Sequence, residues 1–477
     1  MLSRRALLVN PWITDFAAYD FWMKPMGLLS VGAVLRELGF QLDLVDCLDR
    51  FDPELGNWPG VVLPKAKRYG TGKYVRQKIK KPAIFAEIPR YFSRYGIPVE
   101  LFEARLNRLP RPDVILVTSY MTYWYPGVQE AVRLLRRHFP GVPILLGGIY
   151  ATLVPEHARR VVQPDEIIVG EGEPQIRRVL AKYFSGLPEI HFPLDNLDSW
   201  PLPVYDLYPK LRALPILTSR GCPFRCTFCA SHLVAGKFRK RSPQSVVDEI
   251  IGNYRRYRVR DFAFYDDALL LDKNRHIVPI LESLIEHRLP VRFHTPNGFH
   301  AREIDRELAR LLVQAGFKTL RLSFETANPE RLRDMSNKVT LDDLARAAEA
   351  LENAGFPRKQ VEVYVLVGLP EQTAEEMMHS VLLVHQLGVK IRLAQFSPIP
   401  GTVEWKRAEK IGLIDEKTDL LWTNNTVFGY RVGENHRKHL EVMARLVKVL
   451  NHAVELETNL LDEKEVGRLF KKGVKAL

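Results

Sequence analysis

The stretch Gly221-Cys222-Pro223-Phe224-Arg225-Cys226-Thr227-Phe228-Cys229 holds three of the four cysteines of this 477-residue chain, with the spacing C-x3-C-x2-C. Three thiolates on one tight loop can hold three irons of a [4Fe–4S] cube, whereas such clusters ordinarily take four cysteines. The fourth cysteine, Cys47, lies far upstream. The spacing therefore predicts a cluster with one iron open to another ligand, and an open metal position is typical of a catalytic site.

Two other interpretations of the same cysteines remain open. One is a zinc site completed by Cys47, His232 or an acidic residue, and the other is that the cysteines pack as small apolar groups. The flanking sequence favours the cluster, because residues 214–219 predict a buried strand and residues 242–257 predict a helix. The cysteines then lie at the carboxyl end of a strand, where (β/α) barrels keep their chemistry.

The region from 214 to 412 alternates strand and helix patterns six times. The predicted strands are 214–219, 261–265, 291–294, 318–324, 361–367 and 391–396, and helices follow them near 242–257, 272–288, 303–315, 340–354, 373–387 and 403–411. A closed barrel of this kind has eight units. Six units therefore predict an incomplete (β/α)6 barrel with a lateral opening.

The first 185 residues also alternate strand and helix, as in an open, Rossmann-like parallel sheet. The predicted strands are 5–9, 41–45, 113–118, 143–146 and 166–169, and the predicted helices are 27–38, 127–139 and 173–183. Ligands of such sheets bind at the carboxyl ends of the strands. The G-x-G-x-x-G pattern needed for a nicotinamide or flavin site is absent after the first strand.

Two smaller segments complete the predicted organisation. Residues 186–213 are rich in proline, with Trp200, Tyr205 and Tyr208 between the prolines, and predict an ordered connecting strap. Residues 413–477 predict a small helical region at the carboxyl end. The domain division is therefore 1–185, 186–213, 214–412 and 413–477.

The cysteine loop resembles the signature of radical S-adenosylmethionine (radical SAM) enzymes, including the aromatic Phe228 just before the last cysteine. The stretches 24–29 and 146–148 resemble the cobalamin-binding domain that precedes many radical SAM domains. The chain is thus similar to the cobalamin-binding-domain-containing radical SAM family. The resemblance implies a [4Fe–4S] cluster on Cys222, Cys226 and Cys229, whose open iron binds the amino and carboxylate groups of SAM.

The resemblance also implies which residues contact SAM and cobalamin. Polar and small residues at successive strand ends are the expected SAM contacts, namely Phe228, Asp266, Asp267, Asn297, Ser323, Glu325 and Gly368. The expected cobalamin contacts are Met26, Gly27, Asp46, Thr118, Ser119, Gly147, Gly148, Gly170 and Glu171. Glycines at strand ends let the backbone approach a large flat ring, although ordinary turns and helix caps explain each position equally when it is taken alone.

One departure from the family pattern concerns cobalt. The D-x-H-x-x-G loop that supplies a histidine to cobalt in many cobalamin enzymes is missing from the first 185 residues. Either cobalt lacks a protein histidine, or the domain keeps its shape without the cofactor.

The resemblance implies reductive cleavage of SAM to methionine and a 5′-deoxyadenosyl radical, with cobalamin as the source of a methyl group for an unactivated carbon. Alternatives are a radical SAM enzyme that catalyses a non-methylating rearrangement, with or without cobalamin, and a non-catalytic zinc module. No cysteine follows Cys229, which excludes branches with auxiliary clusters near the carboxyl end. An electron donor such as flavodoxin or ferredoxin and a small-molecule substrate are the expected partners.

Composition agrees with a globular enzyme. Hydrophobic residues make up 46% and charged residues 26%, and the amino-terminal sequence predicts neither a signal peptide nor a membrane span. Four cysteines with this spacing do not form a disulfide framework, so a cytoplasmic location is expected. The net charge of +13 favours anionic partners. Its densest run, residues 65–81, predicts a solvated surface insertion more than a nucleic-acid site.

Overall fold

The first half of the chain forms one parallel sheet in the computed structural model, which describes residues 4–336, 338–457 and 460–476. Its strands are β1 (Arg5–Asn10), β2 (Gln41–Asp46), β3 (Val114–Val117), β4 (Ile144–Leu146) and β5 (Glu166–Ile167). They lie in the order β5-β4-β3-β1-β2. The order reverses between β1 and β3, and ligands of such sheets bind at that point.

The sheet is buried on both faces, as expected for parallel strands covered by helices. In β1, Ala6, Leu7, Leu8 and Val9 are almost fully buried. The helices of this half are α1 (Met26–Glu37), α2 (Val99–Arg108), α3 (Tyr125–His138), α4 (Ile149–Leu153), α5 (Pro155–Val161) and α6 (Ile176–Leu180). The predicted Rossmann-like sheet is confirmed.

The segment between β2 and α2 is an insertion whose short strands form antiparallel pairs that the sequence did not predict. Two of their partner strands lie between β1 and α1. Ile13–Asp15 pairs with Ser93–Tyr95, which also pairs with Arg76–Lys78, while Tyr19–Asp20 pairs with Gly72–Lys73. The basic residues of this insertion are largely exposed, but Tyr74 is buried against Ile13, Leu48 and Tyr95. The basic run is therefore the outer surface of a structured insertion, and polyanion binding there stays a prediction.

A second parallel sheet follows. Its strands are β6 (Ala213–Ile216), β7 (Asp261–Phe264), β8 (Arg292–His294), β9 (Phe317–Glu325), β10 (Val361–Val367) and β11 (Lys390–Gln395). They lie side by side in chain order, with β6 and β11 at the two ends of that order. A short strand, Phe299–His300, pairs additionally with β9. The predicted series of six strands is confirmed.

Helices connect these strands in the predicted places. They are α7 (Ser231–Ala235), α8 (Pro243–Tyr257), α9 (Ile277–Glu286), α10 (Arg306–Ala315), α11 (Pro329–Asp334), α12 (Leu341–Asn353), α13 (Ala374–Gln386) and α14 (Val403–Lys410). The local sequence determines where several of these helices begin. Ser242 caps α8 ahead of Pro243, and Thr340 forms a capping box with Asp343 at α12. Helices α7 and α11 are additions to the predicted series.

The carboxyl end is helical, as predicted. It contains α15 (Phe428–Val432), α16 (Glu434–Leu456) and α17 (Glu463–Lys475). Buried residues of α16 such as Leu440, Met443 and Leu450 lie on one face, which is the pattern of a helix packed on a core. Within the described ranges, no helix combines the length and the apolar composition that crossing a bilayer requires.

The chain divides into two structural units. Unit 1 takes the residues up to Pro215 together with Leu233–Arg239, and unit 2 takes Ile216–His232 and the residues from Lys240 onward. The proline-rich stretch belongs to unit 1, where the Tyr208 hydroxyl donates to Asp46 at 2.5 Å. The cysteine loop belongs to unit 2.

Candidate functional site

The three clustered cysteines lie on one loop of unit 2, which follows β6 and the short strand Ser219–Arg220. Cys222 and Cys226 are buried and Cys229 is half-buried, and all three are free thiols. Gly221, at φ 79°, supplies the left-handed turn that opens the loop. The Cys229 amide donates to the Cys226 carbonyl at 3.0 Å, which closes the turn. The predicted position of the cysteines at a strand's carboxyl end is therefore observed.

The thiols lie in a mostly apolar environment. Burial raises the pKa of Cys222 and raises that of Cys226 to about 11, while the positive charge of Lys338 opposes both shifts. Phe228 packs on the cluster formed by Leu366, Leu369 and Phe396. Thiols with a raised pKa stay protonated near neutral pH unless a metal ion or another positive charge compensates. The surroundings therefore do not favour a free, reactive thiolate.

The ligand set of the loop is compatible with a cluster. Among the residues that the structure describes, no three Cys, His, Asp or Glu side chains come together as the ligands of one metal ion. A [4Fe–4S] cube with one open iron needs one thiolate on each of three irons. Cys222, Cys226 and Cys229 supply that number of thiols on one loop, and the zinc alternative stays untested.

Asp266 follows β7 and holds the strand that leads into the cysteine loop. It is buried, and it accepts hydrogen bonds from the Thr218 amide at 2.9 Å, the Thr218 hydroxyl at 2.8 Å and the Ser219 hydroxyl at 2.5 Å. Burial raises its pKa to about 6 in spite of these donors. Asp266 thus anchors the loop, and its predicted contact with SAM stays a prediction.

Replacing Asp266 tests this anchoring role. Because the folded-state pKa is about 6 and the ordinary value is 3.8, Asp266 should lower the free energy of unfolding as pH rises from 4 to 6, by about 3 kcal/mol. Asp266→Asn should remove that pH dependence. Asp266→Ala should destabilise the apoprotein by about 2–5 kcal/mol at every pH, because three buried donors lose their acceptor. Urea unfolding of the three proteins at pH 4 and pH 7 measures both effects.

Asp266→Asn is the matched control, because it keeps an acceptor oxygen while removing the charge. If the wild type and Asp266→Asn respond to pH in the same way, Asp266 does not titrate in this range. If Asp266→Ala is as stable as Asp266→Asn, the three hydrogen bonds do not stabilise the loop.

Other predicted SAM contacts lie at the neighbouring strand ends of unit 2. The Asn297 amide donates to the Tyr265 carbonyl at 2.8 Å, and the Ser323 hydroxyl donates to the Phe299 carbonyl at 3.0 Å. Gly368, at φ 90°, donates its amide to Gln372 at 2.8 Å. Asn297 and Ser323 therefore join neighbouring segments, whereas the Gly368 bond holds the turn that follows β10.

Two carboxylates and one lysine complete this region. Glu325 ends β9 at φ 73°, where the pairing with β10 shifts register, and burial raises its pKa against the attraction of Lys338. The same lysine acts electrostatically on Asp267 and on Cys222 and Cys226. The structure thus brings predicted cluster ligands and SAM contacts together around one cation.

Sequence reasoning missed two residues here. Lys338 lies in the loop between α11 and α12, and its ammonium is 5.9 Å from the centroid of the Phe224 ring. The His300 ring packs edge-on against the same Phe224 ring, with the two ring centroids 4.9 Å apart. No sequence signal marks Lys338, whereas His300 follows Asn297 by three residues and a longer strand-end segment would have included it.

In unit 1, some predicted cobalamin contacts meet between β3 and β4. The Ser119 hydroxyl donates to the Gly147 carbonyl at 2.6 Å. Gly148 has φ 95°, and a Cβ there would lie 2.2 Å from the Ser119 carbonyl oxygen. Thr118 is buried beside them. These residues form a tight junction at the carboxyl ends of two neighbouring strands.

The other predicted cobalamin contacts fall into different surroundings. Asp46 is buried at the end of β2 and accepts hydrogen bonds from Asn10 at 2.6 Å and from Tyr208. Glu171 pairs with Arg239 at 2.6 Å. Met26 and Gly27 begin α1, and a Cβ at Gly27 or Gly170 would meet open space. Open space at Gly27 and Gly170 is compatible with a flat ligand, and Asp46 and Glu171 have partners within unit 1. All of these cobalamin contacts stay predictions.

Family comparisons match both units. Residues 216–384 match the model of the Radical SAM superfamily, and residues 92–180 match that of the B12 binding domain. An uncharacterized methyltransferase of Pyrococcus horikoshii is 25% identical over 62% of this chain and 69% of its own. The cytidylyl-2-hydroxyethylphosphonate methyltransferase of Streptomyces wedmorensis is 22% identical over 87% of this chain and 84% of its own.

A solved structure shares the fold over the full length. It is the radical S-adenosylmethionine methyltransferase TsrM of Kitasatospora setae with cobalamin and a [4Fe–4S] cluster bound, with a TM-score of 0.63 and 16% identity over 100% of both chains. The similarity extends across both units and the helical end.

Proposed function

Because the chain is a member of the radical SAM superfamily with a B12-binding domain, we propose that it cleaves SAM at a [4Fe–4S] cluster and methylates an unactivated carbon with the help of cobalamin. The observation that carries this proposal is the three-cysteine loop at the end of the first strand of a six-stranded incomplete barrel. The names of two similar proteins, both methyltransferases, support the choice of methyl transfer.

Cys222, Cys226 and Cys229 would hold three irons of the cluster. When bound, the cluster supplies the electron that breaks a carbon–sulfur bond of SAM, which is chemistry that side chains cannot perform. The chain's own contribution is to position SAM and to exclude water. Phe228 covers one side of the loop through its packing on the buried Phe396 cluster, and Asp266 fixes the strand from which the loop starts.

Residues at the strand ends of unit 2 would bind SAM. Glu325 and Asp267 are suited to the amino group and to hydroxyl groups, because charged acceptors form the stronger hydrogen bonds. Asn297, Ser323 and Gly368 would shape the walls, since Asn297 and Ser323 already bond to neighbouring segments and Gly368 forms the turn after β10. We assign these contacts to the barrel region 214–412.

Residues 1–185 would bind cobalamin at the carboxyl ends of β1 and β3. Support comes from the reversal of strand order there. Thr118, Ser119, Gly147 and Gly148 would form the floor of that site. Since the D-x-H-x-x-G loop is missing, cobalt would carry no histidine from this domain.

An electron donor and a reducing compartment belong to the same proposal. A cluster held by three thiolates requires reduced cysteines, so we place the enzyme in the cytosol. A flavodoxin or a ferredoxin would reduce the cluster. The methyl acceptor would be a small molecule or a biosynthetic intermediate.

Anaerobic reconstitution tests the proposed function before any substrate is known. The protein should bind about four irons per chain and should retain cobalamin after gel filtration. After reduction with dithionite, SAM labelled in its methyl group should transfer the label to the bound cobalamin. Iron content, the cobalamin absorption spectrum and mass spectrometry measure the three results.

The possible negative results of this experiment favour different alternatives. Protein that binds iron and cleaves SAM but transfers no label to cobalamin would favour a non-methylating rearrangement. Protein that binds zinc in place of iron after anaerobic purification would contradict radical SAM chemistry altogether.

A further inference from the structure

A short strand of unit 1 lies at the open edge of an antiparallel sheet. Arg76–Lys78 pairs with Ser93–Tyr95, which pairs on its other side with Ile13–Asp15. No second strand of the described part of the chain pairs with Arg76–Lys78. All three of its residues are exposed. This edge strand, Arg76–Lys78, therefore has one side of its backbone open to a partner.

Hydrogen bonds on either side of the edge strand give the phase of its pairing. The Gly96 amide donates to the Val75 carbonyl at 2.9 Å, and the Ile79 amide donates to the Phe92 carbonyl at 3.1 Å. In an antiparallel pair of strands, every second residue directs its amide and carbonyl toward the same neighbour. Gln77, halfway between Val75 and Ile79, therefore also bonds toward the neighbouring strand.

Arg76 and Lys78 have the opposite phase, so their amides and carbonyls point toward the open edge. Their side chains share one face of the sheet, because successive residues of a strand alternate between its two faces. Lys80 follows at the same two-residue spacing and is exposed. The edge strand thus combines a row of free backbone donors and acceptors with basic side chains at every second position.

These basic side chains have little negative charge near them. Residues 65–81 contain eight Lys and Arg and no Asp or Glu. Among the residues that the structure describes, no carboxylate forms an ion pair with Arg76, Lys78 or Lys80. The Lys78 ammonium lies 3.6 Å from the centroid of the Tyr91 ring, and Tyr91 is itself 69% exposed. The uncompensated charge favours an acidic partner, and the Tyr91 ring offers it an apolar contact.

The backbone groups of the open edge distinguish between acidic partners. The phosphates of a nucleic acid only accept hydrogen bonds, so they would leave the carbonyls of Arg76 and Lys78 without donors. A second copy of this chain would bring one basic edge against another, which like charges oppose. An extended polypeptide supplies both donors and acceptors at the spacing of a strand. Acidic side chains at its alternate positions would lie directly opposite the basic ones.

We propose that the edge strand is the docking site for an extended acidic segment of a partner protein, which adds a fourth strand to this sheet. The backbone of that segment bonds to the amides and carbonyls of Arg76 and Lys78, and its acidic side chains, two residues apart, pair with the basic ones. The inference goes beyond the proposed function, because it concerns a surface of unit 1 and does not depend on the reaction at the cysteine loop.

A synthetic peptide tests this docking site on the full chain. The probe is a short fluorescent peptide in which glutamate alternates with valine and threonine, residues that favour extended structure. It should bind the wild type at low salt. Arg76→Ala combined with Lys78→Ala should weaken binding about five- to thirtyfold, because two exposed ion pairs are lost. Fluorescence anisotropy measures the dissociation constants.

A matched double variant separates the edge strand from the rest of the basic run. Lys65→Ala combined with Lys67→Ala removes the same charge from exposed positions outside the edge strand. It should change the dissociation constant of the peptide by less than about twofold. Both double variants should keep the wild-type melting temperature, because substitutions of exposed side chains have small effects on stability.

Two methylated peptides separate strand pairing from general attraction between charges. One carries N-methyl groups on its glutamates and the other on the residues between them, so both keep every charge. Only one set of amides faces the edge strand. One of the two peptides should therefore bind about tenfold more weakly than the parent peptide, whereas the other should bind as the parent does.

Every result of these measurements decides for or against the docking site. Absence of peptide binding at low salt overturns it, and so does equal loss of affinity in the two double variants. Equal affinity of the two methylated peptides also overturns it, because attraction of charge alone would then explain binding. An oligothymidylate of equal charge that binds as tightly as the peptide, and displaces it, would identify a nucleic-acid surface instead.

Discussion

Each of the substitutions Cys222→Ala, Cys226→Ala and Cys229→Ala should abolish reductive cleavage of SAM. The reason is that all three thiols lie on one loop, and loss of any one leaves two thiolates for four irons. The loss should exceed the ~10–100-fold effect that follows removal of an outer-shell partner of a metal site. The measurement is 5′-deoxyadenosine formed under dithionite, together with iron bound per chain.

Cys47 provides the matched control. It is fully buried in unit 1, where its amide donates to the Asn10 carbonyl at 2.8 Å and burial raises its pKa well above the ordinary value. Cys47→Ala should therefore keep both the cluster and SAM cleavage. Activity retained by any of the three loop variants would rule out this ligand assignment, and loss of iron in Cys47→Ala would point to a fourth cysteine ligand.

Gly148→Ala should prevent cobalamin binding while sparing the cluster. Gly148 has φ 95°, and a methyl group there would lie 2.2 Å from the Ser119 carbonyl oxygen and 2.7 Å from its amide nitrogen. Left-handed strain and forced displacement of backbone together should cost about 2–5 kcal/mol. The junction of β3 and β4, where we place the floor of the cobalamin site, would then shift. Cobalamin retained after gel filtration is the readout, and iron content reports on unit 2.

Two other glycines of unit 1 serve as control positions for Gly148→Ala. The φ angle of Gly147 lies outside the left-handed region, and a Cβ there would make only an ordinary contact at 4.0 Å with Ile168. Gly147→Ala should therefore be nearly neutral. Gly170 has φ 79° but open space around it, so Gly170→Ala should show backbone strain alone. If Gly148→Ala binds cobalamin as well as Gly147→Ala does, this junction is not part of the site.

The positions of the strands, and the residues at their carboxyl ends, could be predicted from the sequence. The strands β1 to β11 are apolar or alternating segments between helices and turns, so their positions can be predicted from the sequence alone. The residues just beyond them, from Cys222 to Gly368, followed as well, because parallel strands bring their carboxyl ends to one edge. That rule depends on chain direction and needs no knowledge of side-chain contacts.

What the sequence could not predict depends on tertiary contacts. Lys338 reaches the loop from a connection between two helices, and nothing in its local sequence distinguishes it from a solvated lysine. Asp266 looks like an open strand-end carboxylate, yet three donors from the preceding strand occupy it. The sequence of the antiparallel insertion indicates only a basic run and does not predict its strands, because these strands are two or three residues long.

The segment Leu233–Arg239 has a consequence for how the protein is made. Arg239 belongs to unit 1, where it pairs with Glu171 and donates to the Leu194 carbonyl at 2.8 Å. During synthesis, the whole cysteine loop must therefore be translated before all the residues of unit 1 are available for folding. A recombinant fragment cut at Pro215 lacks this arginine, so the N-terminal unit cannot be dissected at the boundary between the two sheets without breaking a partly buried ion pair.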